Sequence, residues 1–108
     1  RILRLAGYRV GGYFSPYLYD IRERVLVGGE IIDKDSFARL VTTLKGHCDA
    51  MAETEHGHPT EFEVKTALGF LHFLEREVDF AVLEVGLGGR LDATNLVTPL
   101  VSVITNVT

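Results

Sequence analysis

Four apolar residues in a row, Phe80-Ala81-Val82-Leu83, run into a carboxylate at Glu84 and then into three glycines, Gly86, Gly88 and Gly89. This combination constrains the fold more than any other feature of the chain. A strand with one wet face alternates apolar and polar residues, whereas an unbroken apolar run is typical of a parallel strand covered on both faces. The spacing predicts such a strand over 79–85. A second β-branched run, Val101-Ser102-Val103-Ile104-Thr105, predicts another over 101–105.

The segments between read as helices and short strands. Residues 1–6 have helix-forming character and stop at Gly7. Residues 8–14 read as a short strand weakened by Gly11 and Gly12. Pro16 breaks the pattern and restrains Ser15 on a rigid loop. Residues 22–27 alternate in the strand manner and turn at Gly28-Gly29. A helix is expected after Asp33 as N-cap, with Phe37, Leu40, Val41, Leu44, Cys48 and Met51 on one face. It ends before His56-Gly57-His58-Pro59. A second helix is expected from Thr60 to about Glu77, with Phe62, Ala67, Leu68, Phe70, Leu71 and Leu74 as its apolar stripe. Helices alternating with buried strands imply an α/β domain with a mainly parallel sheet and flanking helices. Ligands of such sheets bind at the carboxyl ends of the strands, where both Ser15 and Glu84 fall.

Composition narrows the function classes. The 108 residues suffice for one domain with a core, and 46% are hydrophobic. A formal net charge of −4 offers no basic stripe for nucleic acid. No apolar run approaches the roughly 20 residues of a membrane helix, and no signal peptide is visible. Cys48, the single cysteine, suits a reducing compartment such as the cytoplasm. Both ends of the sequence read as cut, which suggests an internal piece of a larger protein.

The glycine stretch invites a dinucleotide reading, but that motif is G-x-G-x-x-G opening into a helix. Leu91 occupies the last glycine's place and Asp92 to Pro99 makes a poor helix start, so the dehydrogenase reading fails. A plain glycine-rich turn remains open. A carboxylate ending a buried strand costs desolvation energy unless a donor or cation meets it. Arg90 is one candidate partner for Glu84, and a divalent metal on a nucleotide is another. Thr60-Glu61-Phe62-Glu63 fits a capping box, while Phe62 in the first helical turn also suits the wall of a ligand pocket. Ser15 is either a strand-to-loop transition or a metal or phosphate contact. His56 and His58 lie on an expected exposed turn without a third ligand. Cys48 reads as core, and His47 and His72 are assigned no role.

Three stretches, "FSPYLYDIRERVLVGGEII", "PTEFEVKTALGFLHF" and "VDFAVLEVGLGGRLDATNLVTPLVSVITN", resemble in this order the central domain of the folylpolyglutamate synthase and dihydrofolate synthase family. These are ATP-dependent ligases of the Mur-ligase type with a P-loop-NTPase-like central domain. The resemblance covers essentially the whole chain, and "EVGLGGRLDATN" is its most specific part. It implies that residues 1–108 form a partial central ATPase domain, lacking the family's upstream phosphate loop, a later metal-binding histidine and the C-terminal domain. It implies that Glu84 and Ser15 hold Mg²⁺. Thr60, Glu61, Phe62 and Glu63 would line the pterin-substrate pocket, and Leu91, Asp92 and Ala93 would contact the same substrate. The family usually reads S-P-H-L, where this chain has Tyr17 in place of the histidine.

The activity so implied joins L-glutamate to the carboxylate of dihydropteroate or folate. ATP first phosphorylates that carboxylate, and the glutamate amine then attacks the acyl phosphate. Family members are mostly monomeric, and the segment alone is expected to be inactive. A non-catalytic α/β binding module and a Mur-type ligase for another acid are the alternatives. "GGRLDATN" resembles the folate branch more closely than the latter.

Overall fold

A computed structural model describes residues 1–106; Val107 and Thr108 lie outside the described residues. The chain is α/β, a four-stranded sheet with flanking helices. A short helix α1 (Ile2–Leu5) leads into β1 (Val10–Tyr13), followed by a 3₁₀ turn (Ile21–Arg24), β2 (Val25–Val27) and β3 (Glu30–Ile31). Helices α2 (Lys34–Ala52) and α3 (Glu61–Glu75) precede β4 (Phe80–Leu83). The strand order is β3-β2-β1-β4. β1 and β4 are parallel neighbours, with Val10 opposite Phe80 and Tyr13 opposite Leu83. β2 and β3 add as antiparallel strands, so the sheet is mixed. The antiparallel part follows from the turn: Gly28 and Gly29 both take positive φ, 64° and 87°, which a two-residue hairpin requires.

Helix starts obey the local sequence. The Asp33 carboxylate accepts the Ser36 N–H at 2.8 Å and opens α2. Thr60 and Glu63 form a reciprocal capping box at the start of α3. The 3₁₀ turn replaces the first half of the strand expected over 22–27. The Asp20 side chain accepts the Arg22 N–H, and Glu23 accepts the N–H groups of Leu18, Tyr19 and Asp20. These local bonds win the backbone away from a ladder.

The core joins Tyr13, Val25 and Val27 on the sheet, and Ile32 just after β3, to Leu40 and Leu44 of α2 and Leu68 and Phe73 of α3. Phe73 takes the inward position, whereas Leu74, expected on the apolar stripe, is 74% exposed. On α2, Val41 and Met51 also lie on the surface rather than in the core. β4 is not covered on both faces: Ala81 and Val82 are exposed. The strand expected over 101–105 does not form, and Val101, Val103 and Ile104 are about four-fifths exposed. In both cases the apolar run signals what tolerates burial, while the ladder or covering layer must come from another element. None of the described elements supplies it there.

Candidate functional site

The carboxyl ends of the two parallel strands meet. β1 ends at Tyr13 and β4 at Leu83, and the Glu84 N–H donates to the Tyr13 carbonyl at 2.9 Å. Two residues beyond Tyr13, the Ser15 N–H donates to Glu84 Oε2 at 2.6 Å. The register thus brings together Ser15 and Glu84, which stand 69 residues apart in sequence. Glu84 is exposed, so the desolvation cost expected of a strand-buried carboxylate does not arise. Arg90 forms no ion pair with it among the described residues; the Arg90 carbonyl instead accepts Asn95 Nδ2 at 3.0 Å. Glu84 Oε1 and the Ser15 hydroxyl meet no protein hydrogen-bond partner among the described residues. Both are hard oxygen donors, the type that suits a magnesium ion also bound to phosphate oxygens. Among the described residues no three His, Cys, Asp or Glu side chains cluster as a metal site.

The glycine stretch is organised by Asp92. One carboxylate oxygen accepts the N–H groups of Gly86 and Leu87, and the other accepts the N–H and hydroxyl of buried Thr94. Partial burial pushes the Asp92 pKa up, but these bonds, led by the Thr94 hydroxyl, outweigh it and hold the carboxyl below its ordinary range. Asp92 was expected to contact a substrate; in the structure its oxygens are taken up by its own loop. Gly86 is required by close approach, because a Cβ there would lie 2.6 Å from the Phe62 ring and 3.0 Å from Asp92 Oδ2.

The four residues opening α3 divide their tasks. Glu63 accepts the N–H and hydroxyl of Thr60, which holds its carboxyl below the usual range. Glu61 pairs with Lys65 one turn on. Phe62 points inward, its ring edge-on to Tyr13 at 6.3 Å and against Gly86. A groove of about 360 Å³ runs between α3 and the loop, lined by Glu63, Thr66, Ala67, Phe70, Leu91, Asp92 and Ala93 among others. It brings Glu63 together with Leu91, Asp92 and Ala93, while Thr60, Glu61 and Phe62 do not line it. A larger open cleft, about 650 Å³, lies at the opposite ends of β1 and β4. Its Arg9 is engaged by Asp79 and the Arg76 carbonyl, and it is remote from Ser15 and Glu84.

Sequence reasoning missed Arg24. Its guanidinium lies 5.6 Å from the Tyr17 ring centroid and 6.0 Å from that of Phe62. Among the acids of Asp20-Ile21-Arg22-Glu23 it reads as one more surface charge, and only its place just before buried Val25 hints otherwise.

No protein-family model matches the chain. A curated relative from Bacillus subtilis, a dihydrofolate synthase/folylpolyglutamate synthase, is 48% identical over 107 residues, covering 98% of this chain and 25% of that protein. This chain is similar in sequence to one part of the folylpolyglutamate and dihydrofolate synthases. A folylpolyglutamate synthase from Lacticaseibacillus casei is 38% identical over the same share of each chain. The crystal structure of folylpolyglutamate synthase from Thermotoga maritima superposes with a TM-score of 0.86 at 48% identity, covering 91% of this chain and 23% of that one. A Mycobacterium tuberculosis folylpolyglutamate synthase complexed with ADP and AMPPCP gives 0.84 at 31% identity, covering 88% of this chain and 22% of that one. The chain spans about a quarter of the length of these relatives. Among its described residues no helix is long and apolar enough to cross a membrane.

Proposed function

We propose that this chain is the metal- and substrate-holding part of an ATP-dependent ligase that joins L-glutamate to the carboxylate of dihydropteroate or folate. One observation carries the reading: Ser15 and Glu84 are tied together at the ends of adjacent parallel strands, beside the groove formed by α3 and the Asp92 loop. The relatives' names support the folate substrate, and the AMPPCP complex of a relative supports ATP.

In this reading the Ser15 hydroxyl and the free oxygen of Glu84 would hold Mg²⁺ against the nucleotide. Bound there, the cation offsets negative charge that develops on the transferring phosphoryl oxygens. The chain's own part is positional. The Ser15 N–H fixes one Glu84 oxygen and leaves the other free. Asp92 holds the loop so that backbone at Gly86 meets the Phe62 ring, and this contact would steady the Leu91-Asp92-Ala93 side of the groove that takes the acid. The substrate carboxylate attacks the γ-phosphorus of ATP and ADP leaves. The glutamate amine then attacks the acyl phosphate carbon, expelling phosphate and losing a proton to form the amide.

The complete enzyme, assayed with ATP, Mg²⁺, glutamate and either dihydropteroate or a folyl monoglutamate, is expected to release ADP only when both the acid and glutamate are present. Binding of the acid without ADP release would favour a non-catalytic binding module. ADP release with another acid but with neither folate substrate would favour a Mur-type ligase of different specificity.

A further inference from the structure

Arg24 is held unusually for a cation. Its Nε and Nη1 are buried and meet no hydrogen-bond acceptor among the described residues. Such donors cost free energy unless something replaces water, and here aromatic faces do so. The guanidinium lies between Tyr17 and Phe62, while Lys65 Nζ approaches the same Tyr17 ring at 5.9 Å. Tyr17 is half exposed, on the loop that carries Ser15. Phe62 in turn packs on Gly86, two residues after Glu84. A closed circuit results: Ser15 to Glu84 by hydrogen bond, Glu84 to Gly86 by chain, Gly86 to Phe62 by contact, Phe62 to Arg24 to Tyr17 by cation–π approach, and Tyr17 back to Ser15 by chain.

We propose that Tyr17 is a positioning residue: by clamping Arg24 it holds Phe62 against Gly86 and so sets the Asp92 loop that lines the groove for the acid substrate. The proposal rests on the ligase reading above and adds a determinant of acid-substrate affinity to it. The Tyr17 ring meets two cations, Arg24 and Lys65, so one side chain steadies both.

The test measures KM for the folate substrate and for ATP separately in the complete enzyme, with thermal stability alongside. Tyr17→Leu is expected to raise the folate KM about three- to tenfold, the range a single cation–π contact supports. The ATP KM stays within about twofold, by the same arithmetic. Tyr17→Phe keeps the ring face and restores the folate KM. Arg24→Lys keeps the charge but loses the planar stack, and should reproduce the Tyr17→Leu pattern even if that variant proves unstable. Equal changes in both KM values, no change, or a Phe variant as impaired as Leu would overturn the positioning role while leaving the ligase reading intact. A parent enzyme without ligase activity on any folate acid would overturn both.

Discussion

At the scale of single residues, the answer to why a glutamate and three glycines follow the apolar run lies in two contacts. Glu84 ties the β4 end to the Ser15 loop, and Gly86 leaves room for Phe62. Gly86→Ala places a methyl where the Phe62 ring and an Asp92 oxygen already sit. It should impair folate binding and lower stability by about 1–3 kcal/mol, the usual cost of overpacking. A folate KM and melting temperature equal to the parent's would contradict that packing. Phe62→Ala should raise the folate KM more than the ATP KM, and equal changes would restrict the residue to its structural role. Glu84, Ser15 and the Asp92 loop were legible as candidates because chemistry-bearing residues broke an otherwise apolar pattern, and the strand register brings Ser15 and Glu84 together. The saturation of Asp92 by its own loop was not, because four of its donor contacts come from backbone and hydroxyl groups that no motif marks.

Individual elements divide along a different line. Those with their own caps were legible: α2 starts at Asp33 and α3 at Thr60, where side-chain oxygens meet the first free N–H groups. Strands depend on partners, and there the sequence misled. The 22–27 segment alternates as a strand, yet Asp20 and Glu23 draw its first half into a 3₁₀ turn. The 101–105 segment has the composition of a buried strand but lies outside the sheet. Inward-facing Phe73 in place of Leu74 is a one-residue rotation, to which a helical periodicity read from an aromatic-rich stretch is insensitive. Thr60 belongs to this scale. Thr60→Ala should cost about 1 kcal/mol of stability, as loss of a helix cap does, with little change in either KM. A large rise in the folate KM at unchanged stability would instead make the hydroxyl a substrate contact.

Across the whole molecule, one buried group sets a pH dependence. His72 is 4% exposed on α3, and its Nδ1 meets no partner among the described residues. Burial, followed by the nearby Arg76, pushes its pKa below the ordinary 6.5, outweighing the opposite pull of Glu75 and Asp33. The folded protein therefore holds this proton less tightly than the unfolded chain does. The contribution is fully present above 6.5 and is lost as pH falls through that value toward the depressed one. Denaturation midpoints of the complete protein should fall between pH 7 and 5, and His72→Leu should flatten that slope. An unchanged slope would place the titrating group elsewhere. The α/β class was legible at this scale, since two amphipathic helices and an apolar strand admit few packings. The mixed character of the sheet followed only from the Gly28-Gly29 hairpin.

The most direct measurement is turnover of the complete enzyme carrying Glu84→Gln, titrated with Mg²⁺. Glutamine keeps an oxygen to accept the Ser15 N–H, so the tie between the strands survives while the charge on the proposed cation ligand is lost. If Ser15 and Glu84 hold the metal, kcat should fall by about a hundredfold or more, the scale on which preorganised electrostatic groups act, with a higher Mg²⁺ requirement. Near-parent turnover at saturating Mg²⁺ would remove Glu84 from the metal site and, with it, the central claim.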